Sequence, residues 1–182
     1  MLIGITGTNG SGKGAVVEYL VSQKGFSRYS GRSVILEVLE EKHLPNKRGT
    51  MRDVANDLRK EHGPAYIMEK LYDMAKDDTN AVLESVRTIG EAEFLKSKGG
   101  FIIAVDSKKE TRYERVVSMS HDETPLSFQD FQLMEDREMS SSDPWDMNVF
   151  GVMQMADARV TNDGTLEELH LQVDSALAKL LS

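Results

Sequence analysis

One short stretch near the N-terminus constrains this chain more than any other feature. Leu2, Ile3 and Ile5 form an apolar run suited to a strand buried on both faces. The chain then reads Gly7-Thr8-Asn9-Gly10-Ser11-Gly12-Lys13-Gly14, and Ala15 to Val21 predicts a helix. Strand, glycine loop, lysine and helix are the setting in which Gly-x-x-x-x-Gly-Lys forms a phosphate-binding loop. Its glycines let consecutive N–H groups turn inward on a polyphosphate. The helix behind offers unpaired N–H groups and the positive end of its dipole to the same anion. Lys13 adds a mobile charge for the outer phosphates. Where the general pattern places a Ser or Thr hydroxyl on magnesium, this chain has Gly14 and then Ala15. The expected ligand is a nucleoside triphosphate whose Mg2+ is held mainly by water and phosphate.

The remainder alternates between strand and helix signals. The first helix is expected to close at Gly25. Phe26 to Tyr29 reads as a short strand, and Ser30-Gly31-Arg32 leads into a helix through about Lys42. Pro45 to Gly49 reads as a basic turn. A helix from Met51 to Glu61 is expected to carry Arg52, Arg59 and Lys60 on its polar side. Another, from Ala65 to Lys76, is expected to bury Ile67, Met68, Leu71 and Met74. Thr79 to Arg87 predicts a strand running into a loop, with Glu84 to Arg87 at the edge where ligands bind in open α/β folds. A helix over 90–98, a strand Phe101 to Val105 ending in Asp106, and a helix over 108–119 follow. A helix starts at Ser127 with Asp130 placed for a capping box. Trp145 to Met155 predicts a further helix, and Ala158 to Thr161 a last strand. Thr165 and Glu168 form a capping box for a final helix whose apolar face is Leu166, Leu169, Val173, Leu177 and Leu180. The implied architecture is α/β, a mostly parallel five-stranded sheet with helices on both faces and a small helical lid.

Composition narrows the function classes. A chain of 182 residues with 40% hydrophobic and 29% charged residues fits one globular domain over 1–182. A net charge of −8 argues against a nucleic-acid surface, which needs a basic stripe. No window approaches a membrane span, and no leader is evident at the start. With no cysteine there is neither disulfide nor thiolate metal site, which fits a cytoplasmic, reducing setting. His43, His62, His121 and His170 have no ligand spacing and are expected at the surface.

Four segments together resemble the P-loop kinases of small molecules: adenylate kinase, related nucleoside monophosphate kinases and dephospho-CoA kinase. They are the loop Gly7 to Gly14, Asn56 to Pro64, Glu84-Ser85-Val86-Arg87, and Asp136-Arg137-Glu138 followed by Ala156-Asp157 and Asn162 to Leu169. The chain most resembles an archaeal branch near dephospho-CoA kinase, in which the third segment reads Asp-Gly-Ile-Arg. The resemblance implies the P-loop fold, ATP and Mg2+ as cofactors, and a small nucleotide as partner. It implies an acceptor-binding helical segment over about 30–77, where Ser30, Gly31, Arg59 and Arg87 meet the acceptor. It also implies a lid over about 112–145, with Arg112, Arg115 and Arg137 closing on the transferring phosphoryl group. Asn162 and Gly164 resemble the turn bordering the adenine. Ser118-Met119-Ser120 departs from the Gly-Arg of adenylate kinases, and Glu84 replaces Asp.

Phosphoryl transfer asks a protein mainly for positioning and charge neutralisation. Lys13, Arg87 and Arg137 have the chemistry for that, and Glu84 could orient the magnesium water shell or accept an acceptor proton. The structural alternative for Glu84 is a pair with Arg87. The expected function is an ATP-dependent kinase of a nucleoside or deoxynucleoside monophosphate. The alternatives are a dephospho-CoA kinase-like activity and a regulatory nucleotide binder without turnover.

Overall fold

The computed structural model describes residues 1–119 and 126–181. The expectations for Ser120 and His121, and for that part of the lid, lie outside the described residues. In order the chain forms β1 (Leu2–Gly7), α1 (Lys13–Lys24), β2 (Ser27–Ser30), α2 (Gly31–Glu41), α3 (Arg48–His62) and α4 (Tyr66–Ala75). There follow β3 (Ala81–Glu84), α5 (Ile89–Ser97), β4 (Phe101–Asp106), α6 (Lys109–Met119), α7 (Phe128–Met139), α8 (Val149–Gln154), β5 (Ala158–Thr161) and α9 (Leu166–Leu180). The five strands are all parallel, in the order β2-β3-β1-β4-β5.

Alternation along the strands divides the core between the two faces of the sheet. Ile3, Ile5, Val82, Ile103 and Val105 pack with Val16, Val17 and Leu20 of α1 and Leu169, Val173 and Leu177 of α9. Ala81, Leu83 and Ile102 face the other way, onto Met68 and Leu71 of α4, Leu95 of α5 and Val152 of α8. With β1 central, the loop after it opens at the C-terminal edge, between its neighbours β3 and β4.

Several local expectations shift, each for a packing reason. Helix α3 begins at Arg48, so the basic turn is shorter than expected. Arg59 is on no polar face: it is 2% exposed and bound to Glu91. Met74 and Leu166 point outward, at 56% and 60% exposure. The strand over 79–87 narrows to β3. The helix over 145–155 narrows to α8, because the Asn148 side chain caps it by accepting from the Gly151 N–H. Ser127 caps α7 as expected by accepting from the Asp130 N–H, while the Asp130 carboxylate takes the Ser127 hydroxyl proton at 2.6 Å. Thr165 and Glu168 form the full capping box. Among the described residues no helix is long and apolar enough to cross a membrane.

Glu91 joins three of these elements. Its Oε1 accepts from Nε and Nη2 of Arg59 at 3.0 and 2.8 Å. Its Oε2 accepts from the N–H groups of Arg87 and Thr88 at 2.7 and 3.2 Å. Thr88 returns the bond to the Glu91 N–H and donates its hydroxyl proton to Pro64 O at 2.9 Å. Removing one partner of so buried a pair strands the other charge. Glu91→Gln should therefore lower unfolding free energy by about 3–5 kcal/mol, read from urea denaturation midpoints.

Candidate functional site

The loop between β1 and α1 is held from behind as well as shaped by its own glycines. Gly12 precedes the helix with φ 92°, in the left-handed region, and a Cβ there would lie 2.0 Å from Nδ2 of Asn162. That approach lets the Asn162 amide donate to Ser11 O at 3.0 Å. Two α6 arginines complete the brace. Arg112 donates to Ser107 O at 2.8 Å and to Asn9 O at 3.4 Å, and its guanidinium pairs with the buried Glu135 of α7. Arg115 donates to Asn162 O at 2.8 Å and to Gly10 O at 3.5 Å. The two arginines expected to face a transferring phosphoryl group are thus committed here to the loop's carbonyls and to α7. Gly164 lies in the turn that leads to α9, where a Cβ would meet the Glu168 carboxylate at 1.9 Å.

On the open side of the loop, Lys13 donates to Thr8 O at 2.7 Å. Burial, and after it the nearby Arg87, lowers its pKa to about 7 against the opposing effect of Glu138. The Ser11 hydroxyl is buried without a hydrogen-bond partner. A Cβ built on Gly14 would meet nothing within 4 Å, so the space beside the first turn of α1 is open. An orphaned hydroxyl, a first helical turn that no side chain caps and a buried lysine suit a polyphosphate. The direct magnesium set is thin. Asp106 accepts from the Thr8 hydroxyl at 2.7 Å and the Ser107 N–H at 2.9 Å. Among the described residues no three His, Asp or Glu side chains cluster as metal ligands.

Beside the loop, a cavity of about 550 Å3 opens between α2, α3, α7 and the end of β3. Seven arginines line it: Arg28, Arg32, Arg48, Arg52, Arg59, Arg87 and Arg137. Ser30 and Gly31 at the end of β2 border it, with Asn9 from the loop and an apolar side that includes Ile35, Ala55 and Ile67. Ser30, Gly31, Arg59, Arg87, Glu84 and Arg137 therefore line one cavity, although two of them have unexpected partners. Glu84 pairs with Arg28 at 2.6 Å rather than with Arg87. Arg59 is held by Glu91. Arg87 instead lies 3.9 Å from Glu138, with its Nη1 buried and without a hydrogen bond. Burial holds its guanidinium below the ordinary value, and Glu138 opposes that shift. Arg137 is exposed on α7.

Arg28, Arg48, Glu91 and Glu138 received no role from the sequence. The available signal was Glu138 beside Arg137 in a matched segment and Arg48 in a basic turn, neither of which names a partner. Ser85 carries a further feature of the site: its φ of 67° is left-handed, at the position where the resembling branch has glycine. Relief of the Cβ strain outweighs the extra freedom glycine has when unfolded. Ser85→Gly should therefore stabilise the fold by up to about 1 kcal/mol, measured by thermal unfolding.

The Lys13 pKa supplies a second test. A bound polyphosphate favours the charged amine and raises its pKa, so binding above about pH 7 takes up a proton and weakens as pH rises. Calorimetry of ADP binding in buffers of different ionisation enthalpy should register an uptake approaching one proton near pH 8, falling away near pH 6, and none in Lys13→Met.

Known proteins share the whole architecture. A UPF0200 protein of Methanococcus vannielii is 29% identical, the alignment covering 99% of this chain and 96% of the relative. Shikimate kinase from Aquifex aeolicus superposes with a TM-score of 0.58 at 19% identity, covering 98% of this chain and 96% of that one. A gluconokinase from Sinorhizobium meliloti superposes with a TM-score of 0.60 at 15% identity, covering 98% and 91%. The fold is thus that of P-loop small-molecule kinases, and with the AAA domain profile (AAA_18) matching residues 3–135, the chain belongs to that AAA domain family.

Proposed function

We propose that this chain is an ATP-dependent phosphotransferase whose acceptor is a small nucleotide, a nucleoside or deoxynucleoside monophosphate. The observation that carries the reading is the arginine-lined cavity beside the loop, in a protein whose net charge is −8. An acidic chain that gathers seven arginines around one cavity has concentrated its positive charge for an anion. The volume suits a nucleotide-sized ligand, and the apolar side offers a base a surface. The kinases that share the fold support the reaction class.

In this reading the loop N–H groups, Ser11 and Lys13 hold the triphosphate of ATP, and a bound Mg2+ would draw its ligands mainly from water and phosphate. The magnesium ion supplies charge neutralisation when bound. Arg48 and Arg87 hold the acceptor phosphate next to Lys13, since planar forks grip phosphate oxygens in pairs. Ser30 and Gly31 border the acceptor, and Arg59 supports it from behind through its bond to Glu91. Arg137, exposed on the far side, closes over the moving charge. Residues 30–77 act as the acceptor segment and 112–145 as the lid.

The partner of Glu84 bears on the choice of acceptor. A carboxylate held by Arg28 at 2.6 Å is occupied by that partner rather than standing free as a general base. A hydroxyl acceptor, as in dephospho-CoA, needs such a base, whereas a phosphate acceptor arrives already ionised. The pairing therefore favours the monophosphate.

The test is ADP formation from ATP and Mg2+ against a panel of ribo- and deoxynucleoside monophosphates and dephospho-CoA. One monophosphate should stimulate turnover strongly, and Lys13→Ala or Arg87→Ala should reduce it by about a hundredfold or more. Glu84→Gln should lower it only a few-fold, and a much larger loss would favour a hydroxyl acceptor. ATP binding with no acceptor-dependent turnover would replace the reading with a regulatory nucleotide binder.

A further inference from the structure

Glu138 lies among the cationic groups of the cavity without a part in the chemistry above. Its side chain is 11% exposed. Arg48 points both Nε and Nη2 at the same oxygen, Oε1, with Nε at 3.2 Å. Arg87 approaches the other oxygen, Oε2, at 3.9 Å with Nη1 buried and making no hydrogen bond. Lys13 is close enough that Glu138 stabilises its charge while Arg48 and Arg87 destabilise it. Two guanidinium groups, from α3 and the loop after β3, thus meet on one carboxylate carried by α7, within whose field the Lys13 ammonium also lies.

We propose that Glu138 is an internal counter-anion seated where the acceptor phosphate binds, and that it sets a threshold of affinity that a phosphomonoester dianion overcomes and a monoanion of the same shape does not. The proposal rests on the reading of the cavity as an acceptor-phosphate site. A carboxylate in that seat offsets the penalty of burying Arg87 beside the half-exposed Arg48 while no acceptor is present. It also sets a threshold. A monoanion that displaces Glu138 replaces one negative charge by another and gains no net attraction. A dianion brings one charge more, and its additional oxygens offer an acceptor to the unbonded Nη1 of Arg87. Selectivity comes from what the wrong ligand fails to gain against a competitor built into the chain.

Phenyl phosphate and phenyl sulfate test this directly, because they match in shape and differ by one charge near pH 8. Both would be titrated by calorimetry into the wild-type protein, Glu138→Gln, Glu138→Asp and Arg48→Gln. Binding that disappears in Arg48→Gln is binding at this site rather than at the loop. The wild type should prefer the phosphate ester by more than about tenfold, one unpaired charge at a desolvated site being enough for that. Glu138→Gln should bind both esters more tightly, by about tenfold or more, so that phenyl sulfate binding too weak to register in the wild type becomes measurable, and Glu138→Asp should behave as the wild type. Phenyl sulfate affinity that is unchanged or weaker in Glu138→Gln would overturn the proposal. Should Glu138→Gln fail to fold, hydrogen exchange of the wild type decides. Amides of α7 should lose protection with phenyl phosphate and not with phenyl sulfate, and unaltered protection would overturn the idea. None of these readouts needs turnover, so the proposal and the kinase reading can fail independently.

Discussion

The buried carboxylate of Glu91 is the joint on which the arrangement around the cavity depends. One oxygen fixes the guanidinium of Arg59 and so docks α3 against α5. The other holds the backbone of Arg87 and Thr88, which sets where the loop after β3 turns and where α5 starts. All of its bonds are satisfied within the protein, which is what makes a fully buried charge tolerable. The same contacts that stabilise the fold therefore aim Arg87 into the cavity. Stability and site geometry are here one set of hydrogen bonds.

A second principle runs through the cavity wall: many of its arginines have their own carboxylate. Arg28 has Glu84, Arg48 has Glu138, Arg52 has Asp146 and Arg59 has Glu91. The pairs differ in depth, from the Arg59 side chain at 2% exposure to that of Arg28 at 54%. Depth separates roles, because a deep pair with every bond satisfied is scaffold, whereas a half-open pair can exchange its carboxylate for a ligand at smaller cost. Arg112 and Arg115 belong with the scaffold, since they tie α6 to the carbonyls of the loop and to Asn162. The back of the loop is stiffened in this way while its front keeps an unpartnered hydroxyl and a lysine of lowered pKa. Preorganised donors of this kind need little rearrangement when an anion arrives.

Much of this was legible in the residues themselves. The order of strands and helices, the closure of α1 at Gly25 and the Thr165–Glu168 capping box follow from short-range rules, because each depends on neighbours within a few positions. The loop was legible for the same reason: its glycines, its lysine and its flanking elements are contiguous. Arg59 was misplaced on a polar face because its partner lies 32 positions away, and helical periodicity carries no information about a buried charge that is paired. The left-handed turn at Ser85 was equally hidden, since nothing about a serine announces a positive φ.

The sequence by itself determined the α/β architecture, the phosphate loop and several of the residues that border the cavity, because local pattern and chain order suffice for these. Tertiary structure alone decided which carboxylate meets which arginine. That is a matter of distances between α3, α5, α7 and the end of β3, elements that approach only when the sheet and its crossovers are complete. It placed Glu84 against Arg28, Arg112 against Glu135, and Glu138 between Arg48 and Arg87. Coulomb interactions depend on separation in space and on burial, and neither quantity can be read from positions along a chain.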